Sequence, residues 1–307
     1  MLVIAAKSGR LGNRLLLFAN FIAFAIEHQL SVLNPAFEEY AAFFESTAQD
    51  LFCAYPQQRF KLRGSSFLRK RYYRWVEQIA KAQKSPTITI SREKPFNWSN
   101  SSIALQAQKQ PISLFKGWLF RDGWFMEDLG ILHQHHQAIC AYFTPVKKHQ
   151  SNVESLISQA RDQCDLLIGV HIRQGDYQQH QNSRYFYSTQ QYIQVMESIV
   201  EQFSDRKVGF LVCSNVSQNQ ALFGHLNCIW GNDHIIEDLY AFAQCDYIVG
   251  APSSYTMWAA FYGQKPLYMI RAIDHQLTIA DFIYSYQWRG VFHQHQDWGQ
   301  AYWEWTH

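Results

Sequence analysis

Three points in this chain bring small or ionisable side chains to the edge of an apolar run, and their chemistries are complementary. The run DLLIGVHI is followed by RQGDY, which sets His171, Arg173 and Asp176 close together. A guanidinium such as that of Arg173 presents a planar fork of donors matched to phosphate oxygens. In GAPSSYTMWAAF a strand pattern breaks at Pro252, and Ser253, Ser254 and Tyr255 open a helical one. Hydroxyls and free amides at a helix N-terminus make an uncharged phosphate cradle. The third point is SGRLGN at 8–13, where Gly9 and Gly12 let a ligand approach the backbone and Asn13 enters the following helix. Together they describe a diphosphate site. Singly, each has a plainer reading: an Arg173–Asp176 pair capping a strand, an ordinary serine N-cap, and a glycine loop that is neither GxGxxG nor a P-loop.

The elements that must position these groups follow from periodicity. LVIAA at 2–6 reads as a strand, and RLLLFANFIAFAIEHQ as the helix into which the glycine loop runs. A second helical run spans about 127–142 and is broken at Thr144-Pro145. Beyond it the chain alternates: helix 151–163, strand 166–172, helix 189–203, strand 207–213, helix 217–224, strand 227–230, helix 235–243, strand 246–250, helix 254–262, strand 266–270. Such alternation predicts a parallel, doubly wound sheet, whose ligands bind beyond the carboxyl ends of the strands. The expected fold is α/β, with two Rossmann-like domains and a cleft between them. An N-terminal, acceptor-side domain is expected over 1–148, a C-terminal, donor-binding domain over 149–270, and an aromatic-rich tail over 271–307 packing back on the first. The acceptor region is expected over 35–110, which carries little pattern.

Composition narrows the classes further. With 307 residues, 48% hydrophobic and 17% charged, the chain is that of a folded globular protein. A net charge of +2 demands no polyanionic partner, and nucleic acid is not expected. The start MLVIAA lacks a basic leader and no apolar run has the length of a membrane span, so a cytoplasmic protein is the expectation. Six scattered cysteines without a Cys-x-x-Cys pair read as buried thiols. HQHH at 133–136 offers His133 and His136 to a metal, but in a Gln-rich helical stretch without a carboxylate or thiol nearby a solvated helix face is the better reading, and no metal site is assigned. The segment 59–84 holds nine Lys or Arg against one Glu, interleaved with Tyr72, Tyr73 and Trp75. It reads as a solvated basic helix, or as a peripheral contact with an anionic acceptor or the anionic inner face of a membrane.

GRLGN before an apolar helix, HIRxGDY after a strand and CDYIVGAPSSYTMWAAF near the C-terminus resemble, in order and spacing, the α-1,2-fucosyltransferases and their α-1,6- and protein O-fucosyltransferase relatives. ISLFKGWLFRDGWF and YFYSTQQYIQVMESI are similar to further segments of that family. The resemblance covers 1–30 and about 110–270. It implies a GT-B-like fold, a GDP-fucose donor held mainly by the C-terminal domain, inversion at the anomeric carbon and no metal or other cofactor. It further implies that Arg173 meets the donor β-phosphate, that His171 lies near the donor, that Ser253, Ser254 and Tyr255 bind the diphosphate, and that Gly9, Gly12 and Asn13 line the cleft.

One departure stands inside the motif: Gln174 occupies the place of the family's second Arg, which leaves open whether the residue touches the donor or braces the loop. Asp176 is the candidate general base, although a carboxylate held by a guanidinium is a poor proton acceptor and bracing is the competing role. Asp233, Glu237 and Asp246 are assigned to the same sheet edge, with helix capping as their plainer role. The function expected is an inverting, metal-independent transfer of fucose from GDP-fucose to a glycan or glycoconjugate. The alternatives are another GDP-sugar as donor, or nucleotide-sugar binding without turnover.

Overall fold

The computed structural model describes residues 1–59, 62–82, 87–89, 112–116, 129–179, 183, 185–270 and 272–288. Most of ISLFKGWLFRDGWF and residues 289–307 of the expected tail lie outside them. The chain divides into two compact units, the first taking in Met1–Lys147 and the second Lys148–Trp288.

In the first unit β1 (Leu2–Ile4) leads through residues 5–10 into α1 (Leu11–Glu27). β2 (Val32–Leu33) and β5 (Ser113–Lys116) flank β1 in parallel; β4 (Thr87–Thr89) pairs with β5, and β3 (Ala54–Tyr55) runs antiparallel to β2 at the other edge. Strand alternation sends Val3, Ala5, Leu33 and Leu114 to one face, where they meet Val76 and Ala80 of α2 (Ser66–Lys81). On the other face Phe115 meets Phe21 of α1 edge-to-face at 4.7 Å. α1 is buried along nearly its whole length, because Phe18 also packs on Phe37, Tyr142 and Phe143. The helical run expected over 127–142 is two helices, α3 (Leu129–Gln134) and α4 (His136–Tyr142), parted at His135. His135 pairs with Glu27, and His136 Nε2 lies 3.3 Å from Cys140 Sγ.

The second unit begins with α5 (Lys147–Arg161) and continues β6 (Leu166–Ile172), α6 (Thr189–Gln202), β7 (Val208–Ser214), β8 (Cys228–Trp230), α7 (Ile235–Phe242), β9 (Tyr247–Gly250), α8 (Ser254–Gly263) and β10 (Leu267–Met269). Its five strands are all parallel, in the order β10-β9-β6-β7-β8. Every residue of β6 is buried, as a central strand covered on both faces requires. The helix expected at 217–224 is only a 3-10 turn over Gln220–Phe223, where Asn219 turns its side chain back on Ala221 N in place of a helical start. Residues 272–288 belong to the second unit: Leu267 bridges Ile283, and Phe282 packs on Tyr247 and Tyr268, so this stretch closes the β10 edge of the second sheet. Among the described residues no helix is long and apolar enough to cross a membrane.

Candidate functional site

The strand order of the second unit marks the sheet edge at which open α/β sheets take ligands. From β6 the chain steps outward to β7 and β8, then crosses back to β9 on the other side of β6. At this switch point the segments leaving β6 and β9 diverge and open a crevice at the carboxyl edge. Those segments are 173–179 and 251–253, so the sheet itself brings together the Arg173 and Ser253 motifs, which lie far apart in sequence.

On β6, His171 is registered between Cys213 and Gly250. Its ring lies 4.9 Å from that of Tyr255 and 6.0 Å from that of Phe242. Burial, with a smaller contribution from the Arg173 charge, pushes its pKa down to about 3, so it is neutral at neutral pH. Its Nδ1 is buried and has no hydrogen-bond partner among the described residues. A side chain at position 250 would reach within 2.9 Å of the His171 carbonyl, which is why a glycine ends β9.

Arg173 follows directly. Its Nη2 donates to Asp176 Oδ2 at 2.7 Å, its guanidinium carbon stands 5.2 Å from the centre of the Tyr177 ring, and its backbone N–H donates to the Tyr192 hydroxyl. Its Nε is buried without a hydrogen-bond acceptor among the described residues. The loop is pinned by Asn215, which accepts from Gln174 N at 2.9 Å and donates to Asp176 Oδ1 at 3.4 Å. A Cβ on Gly175 would lie 2.5 Å from the Asn215 amide nitrogen.

Gln174 is fully engaged. Its Nε2 donates to Tyr187 O at 3.0 Å and Thr189 Oγ1 at 3.4 Å, while its Oε1 accepts from Gln218 Nε2 at 2.9 Å. Thr189 Oγ1 in turn donates to Gln218 Oε1 at 2.9 Å and closes a ring that joins the loop to the start of α6 and the segment after β7.

The opposite wall is the β9–α8 turn. Ser253 caps α8 by accepting from Tyr255 N at 3.2 Å, buried Thr256 donates to Ser253 O at 3.0 Å, and the Tyr255 hydroxyl donates to Ile235 O at 2.8 Å. Ser254, half-buried, is the first residue of the helix. Tyr177 joins the walls: its hydroxyl donates to Pro252 O at 2.7 Å, and burial pushes its phenol well above the usual range.

Sequence reasoning passed over Tyr177, although it stands inside HIRQGDY, and it passed over Asp238. This buried carboxylate of α7 accepts from Asn232 N at 2.8 Å, and burial raises its pKa to about 6. A side chain at Gly231 would strike both Asp238 Oδ1 and Cys213 Sγ at 2.6 Å, so the glycine lets the β8–α7 loop close over them. Asp246 is corrected: it sits at the amino end of β9, bound by Arg161 and Leu167 N, and serves the opposite edge of the sheet. Asp233 occupies a left-handed turn position.

His149, His234 and Glu237 bring ligand-type atoms within 4.8 Å of one another. Yet Glu237 is occupied by His149 Nδ1, Asn152 and Asn232, and these bonds outweigh burial to hold its carboxyl below the usual range. His234 Nδ1 accepts from the first amides of α7, and the two imidazoles stack at 4.5 Å. Stacked rings cannot both aim their in-plane lone pairs at one ion, and the cluster is built as a helix cap.

Gly9, Gly12 and Asn13 lie in the first unit, at the carboxyl end of β1. Gly9 takes φ +60°, and a Cβ there would overlap the Asn13 amide at 2.1 Å. Buried Arg14, which the sequence did not single out, holds the loop through Gly9 O at 3.1 Å while pairing with Glu39 at 2.8 Å. Ser8 Oγ and Asn13 Oδ1 are buried without hydrogen-bond partners among the described residues.

The second unit therefore gathers, at a Rossmann switch point, a guanidinium, a capped helix N-terminus bearing hydroxyls and a neutral buried imidazole, groups whose chemistry suits an anion. Comparison with known families matches residues 134–291 to the model described as glycosyl transferase family 11. A search of curated proteins finds no match to the sequence. Among solved structures, the fucosyltransferase NodZ from Bradyrhizobium is similar at 13% identity, with 88% of this chain and 95% of that one covered and a TM-score of 0.52. A mutant of FUT1 from Arabidopsis thaliana in complex with GDP gives 14% identity, 89% and 71% coverage and a TM-score of 0.54. POFUT1 in complex with GDP-fucose gives 12%, 86% and 95%, and 0.51. At these identities the likeness is one of fold, α/β and GT-B-like.

Proposed function

The chain belongs to glycosyl transferase family 11, within the fucosyltransferase superfamily, and from that premise we propose that it transfers fucose from GDP-fucose to a hydroxyl of a glycan or glycoconjugate, with inversion and without a metal. The observation that supports this reading is Arg173 at the switch point, lying over the Tyr177 ring whose hydroxyl bonds the Pro252 carbonyl just before the capped N-terminus of α8.

In such a reaction the acceptor oxygen bonds to the anomeric carbon as the bond to the diphosphate breaks, its hydroxyl proton passes to the departing phosphate or to solvent, and negative charge grows on the leaving phosphate. Arg173 meets that charge with a charge-assisted hydrogen bond, and the α8 N-terminus with Ser253 and Ser254 adds oriented dipoles. This set neutralises a departing diphosphate without calling on a cation. Neutral His171 contributes a hydrogen bond, since burial keeps it uncharged. Asp176 orients Arg173: both of its oxygens are engaged, by Arg173 and by Asn215. Gln174 braces the loop through its ring with Thr189 and Gln218. A guanine edge offers two N–H donors, for which a carboxylate is the matching acceptor, and Asp238 is the buried carboxylate assigned to it. Gly9, Gly12 and Asn13 supply the acceptor-side loop. A reducing, cytoplasmic compartment fits the six free cysteines.

The test is a thermal-shift panel of GDP-fucose, GDP-mannose, UDP-sugars and free nucleotides, followed by a transfer assay. GDP and GDP-fucose should stabilise the protein, and Arg173→Ala should abolish transfer. No stabilisation by any guanine nucleotide, or unimpaired transfer by the Arg173→Ala protein, would overturn the reading.

A further inference from the structure

The basic segment is used by nothing in the donor site, and the fold gives it two opposite stripes. Along α2, Arg69, Tyr73, Val76 and Ala80 are buried. Arg69 is spent inside, donating to the carbonyls of Thr47 at 2.9 Å and Ala48 at 2.8 Å, and Val76 and Ala80 pack on the first sheet. The other stripe faces solvent, and it is not polar. Phe67 is 65% exposed, Trp75 59% and Leu68 48%, with Leu62 just before the helix at 57%. Leu68, Arg71 and Trp75 follow one another at helical spacing, and Lys70 and Arg74 are exposed beside them. Together with Leu51, Tyr72 and Gln78, the Leu68–Trp75 stripe lines an open groove of about 570 Å³.

A surface with four large exposed apolar side chains among arginines and lysines marks a contact surface. The charge on it says what the contact is. The only carboxylate of α2, Glu77, is taken by Lys81 at 3.3 Å and the Tyr73 hydroxyl at 3.0 Å, so Lys70, Arg71 and Arg74 face outward with no acid on their own helix. Aromatic side chains that insert at the level of the headgroups, flanked by cations that reach lipid phosphates, are the chemistry of an interfacial helix.

We propose that the Phe67–Trp75 face of α2 docks the enzyme on an anionic phospholipid surface, Phe67, Leu68 and Trp75 entering the interface and Lys70, Arg71 and Arg74 binding lipid phosphates. The proposal is independent of the donor site, and its test reads each separately. The full chain is floated with vesicles of equal parts phosphatidylglycerol and phosphatidylcholine, and with vesicles of phosphatidylcholine alone, at low and high salt. Wild type binds the anionic vesicles at least tenfold more tightly, and salt weakens the binding. The Phe67→Ser/Trp75→Ser and Arg71→Glu/Arg74→Glu double variants each lose tenfold or more, while their melting temperatures and stabilisation by GDP stay at the wild-type values. Equal binding to both vesicle types, retention by either double variant, or tighter binding to a single-stranded oligonucleotide than to anionic vesicles overturns the proposal. If folding of a double variant is impaired, Trp75→Ser alone, which removes an exposed ring, must still reduce binding severalfold.

Discussion

The hydroxyl of Tyr177 donates to the carbonyl of Pro252 at 2.7 Å, a bond that ties the loop after β6 to the turn after β9. Arg173 lies over the same ring, so Tyr177 sets the spacing between the guanidinium and the α8 N-terminus. Tyr177→Phe keeps the ring and removes the bond. It leaves a buried carbonyl unpaired and should cost about 1–3 kcal/mol by denaturant unfolding. If these walls hold the diphosphate as proposed, loosening them should lower kcat about tenfold or more. Unchanged kcat with the stability loss intact would make Tyr177 purely structural.

Gln174 and Gln218 answer a question the motif leaves open. If the ring with Thr189 only holds the loop, Gln174→Met and Gln218→Met should weaken catalysis alike and leave GDP affinity nearly alone. Their double variant should lose little more than either single one, a coupling of about 0.5–3 kcal/mol. If Gln174 instead touches the donor, only its own substitution raises the Kd for GDP-fucose, and the two effects add. Gln174→Arg, which places a cation where the ring needs an amide acceptor, should impair rather than improve donor binding.

What was readable from sequence, and what was not, divides along physical lines. β6 showed itself because a strand covered on both faces is apolar throughout, and Arg173 and Ser253 stood out as polar side chains where such runs end. The partnership of Tyr177 with Pro252 depends on β9 lying beside β6, which is a property of strand order and leaves no local mark. Asp238 was hidden by its place in the first turn of a helix, where an acid ordinarily serves the dipole. Asp246 was misplaced by the same ambiguity: it borders an apolar strand, but at the amino end, where Arg161 holds it. β3 is two residues long, too short for any alternation to register.

Asp238 and His171 pull stability with pH in opposite directions. Burial lowers His171 from its ordinary value of 6.5 to about 3, so the folded state binds fewer protons and this group removes stability as pH falls below about 6.5. Burial raises Asp238 from 3.8 to about 6, so the folded state binds more protons and this group adds stability as pH falls from about 6 to 4. Asp238→Asn should therefore be more stable than wild type at pH 7, by up to about 3 kcal/mol, and should lose most of that advantage on acidification to pH 4.5. The same variant should lose selectivity for GDP over other nucleoside diphosphates. Melting curves across pH and a nucleotide panel read the two effects, and parallel curves for variant and wild type would refute the first.

Arg173 and Asp176 separate charge from proton transfer. Arg173→Lys keeps the positive charge but loses the planar fork that binds Asp176 and could meet a phosphate at the same time. If leaving-group stabilisation rests on that fork, kcat should fall about 100- to 1,000-fold. Asp176→Asn keeps an oxygen to accept from Arg173 Nη2 and removes the base. Because Asn215 and Arg173 already engage both carboxylate oxygens, the expected loss is about tenfold, with the pH–rate profile keeping its shape. A fall of a thousandfold or more, with the profile losing its acidic limb, would make Asp176 the general base and leave the orientation of Arg173 to Tyr177 and Asn215.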